Sequence, residues 1–93
     1  MRSTKGVVVV FVDRSRIPYG RMKMCHMVAS THNELIDMAD RIGVDRKWIQ
    51  KEGTPEEHFD ICLSKRDLAL KEGAVYADRR LFVSIIQGKR RKR

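Results

Sequence analysis

Apolar and polar positions change their period several times along the chain, and each change marks an element. Gly6-Val7-Val8-Val9-Val10-Phe11-Val12-Asp13 holds six consecutive apolar residues between Gly and Asp. Such an uninterrupted run predicts a strand buried on both faces, central in a helix-covered sheet. The 18 residues from Asp13 to Ser30 exceed an ordinary strand-to-helix connection. Within them Pro18-Tyr19-Gly20 fits a type I turn, and Met22–Ala29 fits either a short strand or a helical turn. Thr31-x-x-Glu34 is a capping box, followed by Leu35, Met38, Ala39 and Ile42 at helical spacing and Gly43 as terminator.

Arg46–Gln50 reads as a short strand, and Lys51–Glu57, with Gly53, Thr54 and Pro55, as a surface loop. His58–Leu63 alternates like a strand, with His58 and Asp60 on one face and Phe59 and Ile61 on the other. Ser64 is placed to cap a helix carrying Leu68, Ala69 and Leu70 and ending before Gly73. Ala74-Val75-Tyr76 makes a last short strand. Asp78 caps a final helix with Leu81, Phe82, Ile85 and Ile86 on one stripe and Gly88 as its stop. This order predicts a small three-layer α/β domain with a short, mainly parallel sheet and three helices. The domain spans residues 1–88, and Lys89–Arg93 follow as an unstructured basic tail.

Composition narrows the class further. The chain has 93 residues and 10.8 kDa, 42% hydrophobic and 34% charged, which fits one folded domain. Its longest apolar run, six residues, is too short for a membrane span or a secretory signal. The formal charge is +8, and removing the five cations of Lys89–Arg93 leaves only +3 on the body. Two distant cysteines, Cys25 and Cys62, with no export signal, point to free thiols in a reducing cytoplasm.

Ligands of open parallel sheets collect beyond the carboxyl ends of the strands. The first strand delivers Asp13, Arg14, Ser15 and Arg16 there, and the long loop adds Tyr19, Arg21, Lys23 and His26. A carboxylate among guanidinium groups suits phosphate recognition; alternatively Asp13 caps a loop and the arginines are solvated. Ser64-Lys65-Arg66 puts two cations in a first helical turn, where the dipole disfavours them unless an anion is bound. His58 beside Asp60 is a candidate general base, since a neighbouring carboxylate favours the protonated ring. Trp48, the only tryptophan, follows Arg46 and Lys47; it either packs half-buried or stacks on a base.

Metal readings are weaker. Cys25, His26, His58 and Cys62 have zinc-type side chains, but Cys25 and His26 are adjacent and point apart, and no C-x-x-C is present. Asp13, Asp60 and Asp78 could meet at one sheet edge without any recognisable metal signature. Met22, Met24 and Met27 read as core rather than copper ligands. No metal and no cofactor is expected.

The segment Val12-Asp13-x-x-Arg16-x-Pro18-Tyr19-Gly20-Arg21-Met22-Lys23-Met24-Cys25-His26-Met27 resembles the domain-of-unknown-function family 4031, small proteins of phages and bacteria. Further matching blocks are Glu34-Leu35, Arg41-Ile42-Gly43, Arg46-Lys47-Trp48-Ile49-Gln50, His58-Phe59-Asp60-Ile61, Ser64-Lys65-Arg66 and Gly73-Ala74-Val75. The family pattern has Tyr where Phe59 stands and does not include Cys62. The resemblance implies a bacterial or phage-infected cell and carries no established activity.

Together these readings predict binding of a phosphate-bearing ligand, a nucleotide or nucleic acid, at the sheet edge. Arg16, Arg21, Lys23, Ser64, Lys65 and Arg66 would hold phosphate, Tyr19 or Trp48 a base or ribose, with Asp13 at the same edge. A second possibility is a phosphoester or glycosidic hydrolase or transferase with His58 or His26 as general base and Asp60 beside it. A third is an accessory protein that binds a host protein. No membrane partner is expected.

Overall fold

The computed structural model describes residues 9–91. Expectations resting on residues 1–8, including Val7 and Val8 of the first strand, and on Lys92 and Arg93 lie outside the described residues. The elements are β1 (Val10–Val12), β2 (Ile17–Tyr19), β3 (Met22–Ala29), α1 (His32–Ile42), a 3-10 turn (Arg46–Trp48), β4 (Phe59–Cys62), α2 (Leu63–Lys71), β5 (Val75–Tyr76) and α3 (Arg79–Arg91).

The five strands form one mixed sheet, and most of its pairings are antiparallel. Only β1 and β5 run parallel, while β1–β3, β2–β3 and β3–β4 are antiparallel. The expected mainly parallel sheet is thereby corrected. The choice left open for Met22–Ala29, short strand or helical turn, falls to a strand, and with Ile17–Tyr19 it forms an antiparallel hairpin that the expected order of elements lacked. The turn of that hairpin is Gly20-Arg21, since Tyr19 pairs with Met22. Gly20 has φ of 60°, and Arg21 has none of the left-handed values, so the turn is of the II′ kind, which suits strand twist. Pro18 therefore lies in the edge strand β2 rather than at a turn position, where its missing N–H does no harm.

Register explains the centre of the sheet. Met24 pairs with both Ile17 and Cys62, and Met27 with both Val12 and Phe59. Since β4 is continuous along one edge of β3, β1 and β2 must share the other, one after the other. Between them the four residues Asp13–Arg16 oppose only Cys25 and His26, a wide bulge in the β1–β2 line.

Pleating divides the side chains. Val12, Cys25, Met27, Phe59 and Ile61 lie on one face and are buried with Leu35, Met38 and Ile42 of α1 and Ala69 of α2. Phe11, Met24, His26, Asp60 and Cys62 lie on the other. The first strand is thus not buried on both faces: Val10 and Val12 are enclosed, but Phe11 is only partly so.

Helix ends follow local chemistry. The Thr31 hydroxyl accepts the Glu34 amide at 3.2 Å and donates to the Glu34 carboxylate at 2.7 Å. Gly43 takes φ of 79° as the terminator of α1, and its N–H returns to Ala39 and Asp40. Arg46–Trp48 is a 3-10 turn instead of the expected strand, because the Asp45 carboxylate accepts the Lys47 amide at 3.0 Å and starts a helix. Pairing resumes only at Gln50, which bridges His58. The N-cap of α2 is Cys62, not Ser64, whose hydroxyl contacts the Cys62 sulfur at 3.2 Å. Asp78 caps α3 through the Leu81 amide at 2.9 Å. Gly88 does not stop that helix, and the basic segment expected to be unstructured from Lys89 is helical as far as Arg91. No helix among the described residues is long and apolar enough to cross a membrane.

Candidate functional site

The bulge assembles the site. Opening the ladder at Asp13–Arg16 deprives His26 of a backbone acceptor, and the Asp13 side chain replaces it. Asp13 Oδ1 accepts the His26 amide at 2.9 Å, and Oδ2 lies 2.6 Å from His26 Nδ1. An ionised carboxylate only accepts, so Nδ1 carries a hydrogen, and in the neutral ring Nε2 holds the lone pair. Ser15 adds its amide at 3.2 Å and its hydroxyl at 3.0 Å. Burial alone would raise the Asp13 pKa, but the hydrogen bonds from His26 and Ser15 outweigh it, and the net shift is downward.

The carbonyls freed by the same bulge go to Arg66. Its guanidinium donates to Asp13 O at 3.0 Å and Ser15 O at 3.2 Å, lies 5.4 Å from the centre of the Tyr76 ring, and is only 9% exposed. Lys65 donates to Ile42 O at 2.8 Å, the cationic partner that the carboxyl end of α1 favours. The expectation that these two cations cost stability without an anion is therefore corrected: one seals a bulge and the other caps a helix.

Beyond His26 the polar chain continues. His26 Nε2 faces Asp60 Oδ1 at 3.8 Å, and His58 Nε2 faces the same oxygen at 3.5 Å. Gln50 Nε2 donates to Asp60 Oδ2 at 2.7 Å, and His58 Nδ1 meets the Glu56 carbonyl at 2.9 Å. Burial pushes the His58 pKa down, more than the Asp60 carboxylate pulls it up, with His26, Lys51 and Lys89 adding to the depression. The expected rise from Asp60 is reversed.

A groove of about 680 Å³ opens in front of this chain. Trp48 and Tyr19 stand on its walls and are 62% and 68% exposed; Met22 and Met24 add apolar surface, His26 and Asp60 polar groups, and Lys65 a cation. Half-buried packing for Trp48 is thus corrected. Its neighbours Asp45 and Lys47 hold it in the 3-10 turn with the indole outward.

The family model for proteins of unknown function, DUF4031, matches residues 10–89. The chain belongs to the DUF4031 family. The match runs past Val75, where the resembling blocks end, into α3. No curated protein and no solved structure matches this DUF4031 chain.

Of the residues singled out in the DUF4031 sequence, Asp13, His26, His58 and Asp60 form one polar chain, and Tyr19, Trp48 and Lys65 share the groove with two of them. Arg16, Arg21 and Lys23 are exposed and do not line the groove. Ser64 is bound to Cys62, and Asp78 is a helix cap distant in role from Asp13 and Asp60. Met27 alone of the three methionines is in the core. Cys25 is buried and Cys62 half-buried, both free. Gln50 was missed. Its signal was the alternation Gln50–His58–Asp60 across a bridge, invisible without the register.

Proposed function

We propose that the groove binds a nucleotide-like ligand, with its planar ring against Trp48 and Tyr19 and its phosphate toward Lys65. The observation that carries this reading is the exposure of both aromatic rings on one groove with a polar floor. Solvent-facing aromatics retain their area for stacking, worth about 1–3 kcal/mol per base where measured. The Lys65 ammonium uses one hydrogen on Ile42 O and has others to give. The groove volume falls within the range of roughly 300–1,000 Å³ typical of small-molecule sites.

The single tryptophan makes the test direct. Titrating the protein with AMP and GMP should quench Trp48 fluorescence saturably. Adenosine should bind about tenfold more weakly, a loss of about 1.4 kcal/mol, and Lys65→Met should erase that difference. Absence of saturable quenching by any nucleotide at millimolar concentration would remove this reading.

The Asp13–His26 contact favours a second reading, hydrolysis or transfer at a phosphoester or glycosidic bond with His26 as general base. Asp13 fixes the ring so that Nε2 offers its lone pair on the groove side, the arrangement a base needs. His58, with its ring held on Glu56 O and its pKa lowered by burial, is the poorer candidate at neutral substrate-bond cleavage. Turnover of a chromogenic phosphodiester that vanishes in His26→Gln and survives in His58→Gln would support it; no turnover would end it.

A further inference from the structure

Two imidazole Nε2 atoms and one carboxylate oxygen converge beneath the groove. Each imidazole has its Nδ1 committed: that of His26 to the Asp13 carboxylate at 2.6 Å, that of His58 to the Glu56 carbonyl at 2.9 Å. Neutral rings held this way present bare Nε2 lone pairs. Both are directed at Asp60 Oδ1, at 3.8 and 3.5 Å, and that oxygen is buried with no hydrogen-bond partner among the described residues. Its sister oxygen is satisfied by Gln50 at 2.7 Å. A buried carboxylate oxygen without a hydrogen-bond partner, with two ring nitrogens beside it, is stabilised by a positive charge between them.

We propose that His26, His58 and Asp60 form a binding site for one divalent transition-metal ion of the zinc type. Ligands at about 2.0–2.2 Å from such an ion, with angles of roughly 110–120°, lie about 3.4–3.7 Å from one another. The observed separations of 3.5 and 3.8 Å are close to that range. No trio of His, Cys, Asp or Glu among the described residues is placed to hold an ion without movement. The required adjustment is a small rotation of Asp60, whose side chain is 38% exposed and free to make it.

The outer hydrogen bonds are the stronger argument. Metal-bound imidazole characteristically donates its other nitrogen's hydrogen to a carboxylate or a backbone carbonyl, which fixes tautomer and ring direction. Here one ring has each kind of acceptor, and Gln50 orients the carboxylate. Two imidazoles and one oxygen select zinc, cobalt and their neighbours over magnesium or calcium. Three protein ligands leave the ion an open position, and His26 and Asp60 both line the groove, so that position faces it. The proposal goes beyond nucleotide binding and does not need it.

The test is titration of the full chain, stripped with chelator and without nucleotide, with Zn²⁺ and Co²⁺ by calorimetry. One equivalent should bind, and the Nε2 resonances of His26 and His58, but not of His32, should shift in nitrogen-15 NMR. Asp60→Asn and His58→Gln should each weaken binding at least about tenfold, and Asp13→Asn by about 10–100-fold through its hold on His26. Cys62→Ser should leave affinity unchanged. No stoichiometric binding, or binding lost with Cys62 and indifferent to Asp60, would overturn the site. The wild-type NMR shifts decide the matter even if a variant fails to fold. Nucleotide quenching without metal binding, or the reverse, separates the two proposals.

Discussion

The Asp13 carboxylate accepts the His26 amide at 2.9 Å and the His26 ring at 2.6 Å, serving the sheet with one oxygen and the site with the other. A side chain has taken the place of a strand's carbonyl, and a fixed orientation of the His26 ring comes with the repair.

Asp13→Asn separates these two duties. Asparagine keeps an acceptor for the amide but turns a donor toward Nδ1, so the variant should lose about 1–2 kcal/mol near neutral pH. Because the native pKa of Asp13 lies below its ordinary 3.8, its contribution is complete above that ordinary value. It is lost as pH falls through the lower native one. Urea unfolding at neutral and acid pH should therefore show the gap between wild type and Asn closing in acid; a gap that widened would refute the assignment.

Arg66 should be far less tolerant than a surface arginine. Arg66→Met leaves the Asp13 and Ser15 carbonyls without their partner in an enclosed place. The expected loss is about 2–4 kcal/mol. Both bonds come from Nη1; lysine can donate to carbonyls but loses the flat guanidinium beside the Tyr76 ring, so it should recover only part of the loss. Chemical denaturation of both variants checks this; a loss within experimental error would mean that water serves the bulge equally well.

The two thiols should behave oppositely. Cys62 is drawn down from its ordinary pKa of 9.0, first by the Ser64 hydroxyl and also by the amides opening α2, whereas burial pushes Cys25 up to about 11. Iodoacetamide should label Cys62 with a rate that rises at a pH below 9, since a lowered pKa populates the thiolate earlier. Cys25 should stay unlabelled until the protein unfolds. Peptide mapping across a pH series gives the answer, and native labelling of Cys25 would contradict its burial.

Lys89 is a charge the fold holds at a loss. Its Nζ is buried without a hydrogen-bond partner among the described residues, and burial lowers its pKa, opposed only in part by Glu57. Lys89→Met should stabilise by about 0.5–2 kcal/mol near neutral pH. The wild type should catch up as pH rises through the lowered native pKa toward 10.5, where the unfolded chain still holds the proton the folded one has released. Thermal melts at neutral and alkaline pH measure it; a less stable Met variant would show that the charge is paired.

α1, β4 and the caps at Thr31 and Asp78 are legible in the sequence, because their signals are local: a capping box, an alternation, an aspartate before a helix. The Ser64 cap and the Gly88 stop are not, since α2 starts at Cys62 and α3 continues to Arg91. The sheet's direction was not legible, since Met22–Ala29 carries apolar residues on both faces and its period of two is hidden. Asp13, His26, His58 and Asp60, each singled out for its chemistry, lie together in one polar chain. Arg66 was misjudged because only the register shows that four residues oppose two and leave carbonyls to be satisfied. The choice between packing and exposure for Trp48 is not legible for a related reason: it depends on the turn that Asp45 starts, a segment that reads as a strand.

The bulge has a consequence for how this surface can vary. Asp13 and His26, the start of the polar chain, also join β1 to β3 at the bulge, so changes there weaken the fold along with the site. The Asp13–His26–Arg66 arrangement thus serves the architecture before any ligand is considered. Trp48, Tyr19 and Lys65 touch the groove without closing the bulge. A mutational scan should therefore find folding tolerant at Tyr19 and Trp48, whose rings face solvent, and intolerant at Arg66, whose guanidinium holds the bulge.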